Sequence, residues 1–201
     1  MSIINYASRE IQFKVVYYGP ALGGKTSSLV YIHSRISPAY RGDLISLATQ
    51  ADRTLFFDFL PISALTLDGF KMKFQLYTVP GQVIYNTTRQ LVLRHVDGVV
   101  FVADSQWEKM EENVGSIRNL EENLQKQSLP LEQIPIVLQF NKRDLSNVAP
   151  VNYLEYLLNN RKKRVQTFES IASTGANVFA TLDAVTQLLL RRFKKENAQL
   201  K

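Results

Sequence analysis

The hydrophobic pattern of this chain switches repeatedly between period two and helical spacing. Ile11, Phe13, Val15 and Tyr17 fall on alternate positions, which predicts a strand over residues 11–18. Leu29, Ile32 and Ile36 then recur at helical spacing, so a helix is expected over 26–35. Residues 37–53 read as a polar, mobile stretch with a short apolar run through Leu47. A β-prone segment, 54–60, is expected to end at Pro61. Residues 70–76 alternate apolar with polar, a half-buried strand. Gly69 and a short connection separate these two strands, which predicts antiparallel pairing. A helix is expected over 85–95.

Val99-Val100-Phe101-Val102-Ala103 is continuously apolar, which suits a central parallel strand covered on both faces. Ser105 and Glu108 have capping-box spacing for the next helix. That helix carries Met110, Val114, Ile117, Leu120 and Leu124 on one face. Ile136-Val137-Leu138-Gln139-Phe140 is a second buried-strand run. A helix around 151–158, a last strand within 165–171 and a final helix follow. The final helix has the stripe Val178, Leu182, Val185, Leu189 and Phe193, then frays from Lys194. Alternating strands and helices, without repeat or linker, indicate one α/β domain with a mostly parallel sheet.

Composition narrows this picture. A length of 201 residues supports one domain with a full-sized core. The absence of cysteine excludes disulfides and thiolate metal sites and fits a reducing compartment. The start, Met1-Ser2-Ile3-Ile4-Asn5-Tyr6, has no basic region and no apolar signal core. No segment approaches the apolar length of a membrane span. A cytoplasmic protein is expected. The net charge of +6 is modest, and solvated surface explains it better than nucleic acid. The basic runs Arg161-Lys162-Lys163-Arg164 and Arg191-Arg192-Phe193-Lys194-Lys195 leave weak contact with anionic membrane open. His33 and His95 lie far apart without clustered carboxylates, so no histidine metal site is expected.

The candidate chemistry begins at Gly19-Pro20-Ala21-Leu22-Gly23-Gly24-Lys25-Thr26, with the G-x-x-x-x-G-K-T spacing of a phosphate-binding loop. Successive N–H groups in such a loop form a cage for anionic oxygens. Gly24 lets the main chain approach the phosphates. Lys25 places an ammonium against the outer phosphate. Thr26 offers a hydroxyl to Mg²⁺, and with Ser27 it opens a helix whose end favours anions. Strand, glycine loop and helix are the required setting, and all three are predicted here.

Asn141-Lys142-Arg143-Asp144 fits N-K-x-D at the end of the second buried strand. A carboxylate at Asp144 can accept from guanine N1–H and its exocyclic amine together, and adenine lacks that donor pair. Sites built on such bonds reject the wrong partner by about 10⁴-fold or more. Asn141 can brace neighbouring loops, and the alkyl stem of Lys142 can cover a face of the base.

Over nearly its whole length the chain resembles a Ras-type small GTPase, specifically the bacterial MglA family of cell-polarity and gliding-motility GTPases. The resemblance is carried by Tyr17-Tyr18-Gly19-Pro20, by residues 52–59, by Tyr77-Thr78-Val79-Pro80-Gly81-Gln82, by residues 97–105 and by Asn141-Lys142-Arg143-Asp144. It implies a P-loop GTPase fold with one antiparallel strand and helices on both faces. The expected domain is 1–195, with a frayed tail at 196–201. It implies GTP or GDP and Mg²⁺ as ligands. Gly19, Ala21, Leu22, Gly23, Gly24, Lys25, Thr26, Ser27, Gly81, Asn141, Lys142, Asp144 and Ala172 are expected at the nucleotide. Thr54 resembles the first-switch threonine and joins Thr26 at the metal. Gln82 matches the water-orienting glutamine. Arg53 matches an arginine finger supplied in cis, although a surface salt bridge is the plainer reading of an isolated arginine. The expected partners are a roadblock-domain activator and polarity or motility effectors, with a location at a cell pole.

Two residues depart from the common small-GTPase pattern. Thr78 stands where most members carry a Mg²⁺-associated aspartate, itself an MglA-family trait, so weaker metal retention is expected. Ala21 replaces the usual third-position glycine, and its methyl is expected to crowd Gln82 and slow hydrolysis. The leading reading is a GTP-driven switch. The alternative is a nucleotide-loaded scaffold with negligible turnover, favoured by Ala21 and Thr78 and opposed by Arg53 and Gln82.

Overall fold

The computed structural model describes residues 3–48, 56–67, 69–161 and 163–198. In chain order it forms β1 (Ile3–Asn5), β2 (Glu10–Tyr18), α1 (Lys25–Arg35), β3 (Ile45–Ala48), β4 (Phe56–Leu67), β5 (Phe70–Thr78), α2 (Asn86–Leu93), β6 (Gly98–Asp104), α3 (Met110–Gln125), β7 (Ile136–Asn141), α4 (Val151–Leu158), β8 (Thr167–Glu169) and α5 (Val178–Ala198). The described residues give one eight-stranded sheet ordered β3-β4-β5-β2-β6-β7-β8, with β1 paired to β2 off this path. Along the path β4 alone runs against its neighbours; β5, β2, β6, β7 and β8 are mutually parallel. The β1–β2 hairpin adds an antiparallel pair that the weak pattern of residues 3–5 did not announce.

The period-two reading of β2 accounts for one face of the sheet. Ile11, Phe13, Val15 and Tyr17 pack with Leu29 and Ile32 of α1 and with Val178, Leu182, Val185 and Leu189 of α5. Val16 and Tyr18 face the other side, among Leu93 of α2, Ile117, Leu120 and Leu124 of α3, and Leu154 of α4. The unbroken apolar run of β6 has the same cause. Val99, Phe101 and Ala103 face one helical layer, and Val100 and Val102 face the other. Burial on both faces is the signature of a parallel sheet between helices.

Five sequence expectations need correction. The stretch 37–53, read as polar and mobile, contains β3 at Ile45–Ala48, paired with β4. The final helix, expected to fray from Lys194, runs to Ala198. The strand expected to end at Pro61 continues to Leu67. The Pro61 carbonyl accepts from Gly42 N, on the side of β4 away from β5, so the missing proline donor removes no β4–β5 ladder bond. Ser105 does not cap α3. The chain takes a 3-10 turn at Trp107–Lys109 before Met110, and among the described residues the buried Ser105 hydroxyl has no hydrogen-bond partner. The helix expected over 85–95 opens as a 3-10 turn, Val83–Tyr85, and is α-helical only over Asn86–Leu93.

The strand order places a topological switch at β2. The chain leaves β2 for β5 on one side and continues to β6 on the other. Ligands in such sheets bind outside the carboxyl ends of the strands at that point. The loops after β2, β5, β7 and β8 all emerge there.

Gly98 sits where α5 presses on β6. A Cβ at this position would lie 3.1 Å from Val185 Cγ2 and 3.3 Å from both Leu189 methyls. Gly98→Val is expected to destabilise the fold by about 1–3 kcal/mol through overpacking. Urea unfolding checks this, and an unchanged midpoint would show that α5 yields freely.

Candidate functional site

The loop after β2 passes so close to β6 that position 19 must be glycine. Its φ is +146°, and a Cβ there would lie 2.1 Å from the Val102 carbonyl oxygen. Gly24 has φ +105°, and a Cβ there would meet Asn141 Nδ2 at 2.0 Å. The glycine expected to admit phosphate thus also admits a side chain from β7. Leu22, with φ +58°, projects into solvent.

Lys25 is 6% exposed at the first turn of α1. Its Nζ donates to the carbonyls of Gly19 at 3.1 Å and Pro20 at 2.6 Å. Burial, then repulsion from Arg89, pushes its pKa down to about 7, against an opposing pull from Asp58. An anion placed at the loop supplies the counter-charge that two carbonyls supply only in part.

Beside the ammonium lies a cluster of hydroxyls around one carboxylate. Thr26 Oγ1 donates to Asp58 Oδ2 at 2.6 Å, and Thr78 Oγ1 donates to the same oxygen at 2.9 Å. Ser46 Oγ donates to Asp58 Oδ1 at 2.6 Å, and Asp58 N donates to Thr78 Oγ1 at 2.8 Å. Thr78 carries no charge of its own, but Asp58 of β4 brings a carboxylate alongside it, and Thr78 donates to that carboxylate. The reason is register. β4 and β5 pair Phe59 with Tyr77, so Asp58 comes alongside Thr78. The donor set is hard oxygen, and Mg²⁺ is bound through one or two carboxylates together with substrate phosphates. The group therefore fits that ion. Lys25, Thr26, Ser27, Asp58 and Thr78 line one cavity of about 380 Å³, with Gly81 at its edge.

At the other end Asn141 holds the loops together. Its Nδ2 donates to Gly23 O at 2.8 Å, and its Oδ1 accepts from Ala172 N at 2.9 Å and Ser170 Oγ at 3.1 Å. Lys142, with φ +66°, extends Nζ to Asp104 Oδ2 at 2.6 Å and Gln106 Oε1 at 3.2 Å. Asp144 is exposed on this loop, and Ala172 is buried against Asn141.

The second-switch residues lie across the loop from this. A Cβ on Gly81 would lie 2.2 Å from Ala21 Cα and 2.9 Å from Ala21 Cβ, so the two loops touch at these residues. Gln82 is exposed and lines a neighbouring cavity of about 700 Å³ toward α3, next to Pro20, Ala21 and Gly81. Arg53 and Thr54 lie outside the described residues. The sequence reading did not single out Asp58 or the fully buried Arg89. Asp58 stood inside the 52–59 block, and a carboxylate flanked by Phe57 and Phe59 was the available signal.

The sequence model of the Ras family matches residues 14–191. The chain belongs to the Ras family. It is also 53% identical over 195 residues to the mutual gliding-motility protein MglA of Myxococcus xanthus (strain DK1622), an alignment covering 97% of this chain and 99% of that one. The resemblance to MglA is thus borne out, and with it the α/β fold around a mostly parallel sheet. A member of this family is a small GTPase, a hydrolase of GTP. Ras-like GTPases as a class bind GTP, GDP and Mg²⁺. No described helix is long and apolar enough to cross a membrane.

Asn141→Ala leaves the Gly23 carbonyl and the Ala172 amide without this partner. Each stranded buried group is expected to cost about 1–3 kcal/mol. Chemical denaturation without nucleotide checks the loss, and an unchanged midpoint would show that the loops stand without the brace.

Proposed function

We propose that this small GTPase is a molecular switch whose two nucleotide states are read by other proteins. The carrying observation is the convergence of phosphate loop, hydroxyl–carboxylate cluster and N-K-x-D loop at the carboxyl ends of β2, β5 and β7. The backbone of residues 19–24 cradles the phosphates, with Gly19, Ala21, Leu22, Gly23 and Gly24 supplying main chain and Lys25 the ammonium. Thr26 and Ser27 sit at the N-terminus of α1, which favours the anion further. Thr26 holds Mg²⁺, with Thr54 in the triphosphate state and Asp58 close by. The ion supplies positive charge at the phosphates when bound. Asn141 positions the guanine loop, Lys142 covers the ring and Asp144 accepts from its edge. Ala172 packs beside it.

Hydrolysis needs positioning and charge stabilisation rather than covalent chemistry. Gln82 orients the attacking water beside Gly81. Arg53 stabilises charge on the transferred group, an effect worth about 10³–10⁵ in rate for arginine fingers in general. The relative's printed name supports an output in gliding motility; polarity or motility effectors, a roadblock-domain activator and placement at a cell pole complete the proposal on the family resemblance alone. Uptake of labelled GDP and GTP by nucleotide-free protein in magnesium buffer tests the reading, and failure to take up either ends it.

A second reading, a loaded scaffold with negligible turnover, draws support from the Ala21–Gly81 contact. Ala21→Gly removes the methyl while the nearer Cα and N of position 21 stay against Gly81; with the methyl as the brake, single-turnover phosphate release is expected to accelerate about tenfold, the effect of roughly 1.4 kcal/mol on the barrier. Equal rates in both proteins would remove Ala21 as the brake. Asp58→Asn keeps shape but loses the charge and one of the two oxygens that accept from Thr26, Thr78 and Ser46. The Mg²⁺ concentration for half-maximal GDP retention is expected to rise about tenfold or more, as for the loss of other groups around metal ligands. An unshifted magnesium curve would exclude Asp58 from holding the ion.

A further inference from the structure

We propose that Arg89 is a positioning residue for hydrolysis, clamping the peptide that carries Gln82. The inference rests on the water-orienting role given to Gln82 above. Arg89 lies on α2 with its side chain fully buried. Its Nε donates to Pro80 O at 2.9 Å and its Nη2 to Gly81 O at 2.5 Å. These are the two carbonyls immediately before Gln82. Nη1 donates to Asn119 Oδ1 at 2.7 Å, and the guanidinium lies 5.2 Å from the centre of the Tyr18 ring. Tyr18 closes β2 just before the phosphate loop, and Asn119 belongs to α3.

The fork geometry matters because it fixes two successive peptide planes at once. Arginine presents its donors in a rigid plane, whereas a lysine ammonium is a single point. Burying a cation is expensive unless its donors are all placed. Here the acceptors are the switch backbone and a side chain anchored elsewhere. Asn119 is itself held, accepting from Tyr18 OH at 2.6 Å and donating to Asn86 Oδ1 at 3.1 Å. Asn123 Nδ2 also donates to Asn86 Oδ1, at 2.8 Å. Asn86 follows the 3-10 turn Val83–Tyr85. The second switch is therefore pinned before Gln82 by Arg89 and after it by Asn86, both against α3. Residues 82–85 lie between the pins, and the direction of Gln82 follows from peptides that Arg89 holds.

The test is a double-mutant cycle on the full chain, with Arg89→Met and Arg89→Lys each made with and without Gln82→Ala. Nucleotide affinity, single-turnover phosphate release and thermal unfolding are measured for all. Arg89→Met keeps bulk without donors, and Arg89→Lys keeps charge without the fork. Both are expected to bind GDP within about threefold of the parent while releasing phosphate about 10- to 100-fold more slowly, the scale of a roughly ångström misplacement. In the Gln82→Ala background neither is expected to slow hydrolysis further, the non-additivity of residues acting as a unit. Full additivity, or a parental rate in Arg89→Lys, overturns the inference. Where Arg89→Met does not fold, the lysine cycle decides. Failure of the unmutated protein to bind or hydrolyse GTP ends the functional reading instead, a result separable from any behaviour of the cycle.

Discussion

One side-chain amide, that of Asn141, ties the nucleotide pocket into a unit. It reaches from the end of β7 to the Gly23 carbonyl of the phosphate loop and accepts from the Ala172 amide beyond β8. The contact explains a feature that spacing leaves ambiguous. Glycine at position 24 is usually justified by the approach of phosphate, but here the Asn141 amide already occupies the space a Cβ would take. The two motifs at opposite ends of the pocket are therefore one mechanical object, and the residue types of each are constrained by the other.

Charge in the site is arranged by the same economy of few, buried groups. Lys25 meets carbonyls and Asp58 meets hydroxyls. Thr78 illustrates the logic. A threonine in place of an acid looks like a lost ligand when read along the chain. Across the β4–β5 register it becomes the group that aims a carboxylate from the neighbouring strand. A one-residue slip of β4 would turn Asp58 to the opposite face, so the carboxylate beside Thr26 and Thr78 depends on strand pairing rather than on a local motif.

This is also where sequence reasoning met its limit. The apolar runs of β6 and β7, the stripes of α3 and α5 and the glycine loop were all legible, because each is a local pattern with a local cause. The placement of both motifs at strand ends followed from them. Asp58 was not legible as part of the hydroxyl cluster, since its place comes from a partner strand. Arg89 was hidden for a related reason: an arginine in an amphipathic helix reads as surface, and only the packing of α2 on α3 buries it. Pro61 misled in the opposite direction. A local rule about proline holds only when its nitrogen faces a ladder, and here it faces away. The capping-box spacing at Ser105 failed because the chain turns once more before α3 begins.

Gly81 emerges as the point where these constraints meet. On one side it touches Ala21 of the phosphate loop, closely enough that no Cβ fits between them. On the other its carbonyl is held by the Arg89 guanidinium. A peptide gripped from both sides has little freedom to answer a change on either one. Ala21 and Arg89 thus bear on the same peptide, the one that leads into Gln82. Under the role proposed for Gln82, the grip on this glycine tunes hydrolysis over the roughly 10- to 100-fold range of a misplaced group, within the larger effect of the catalytic residues themselves.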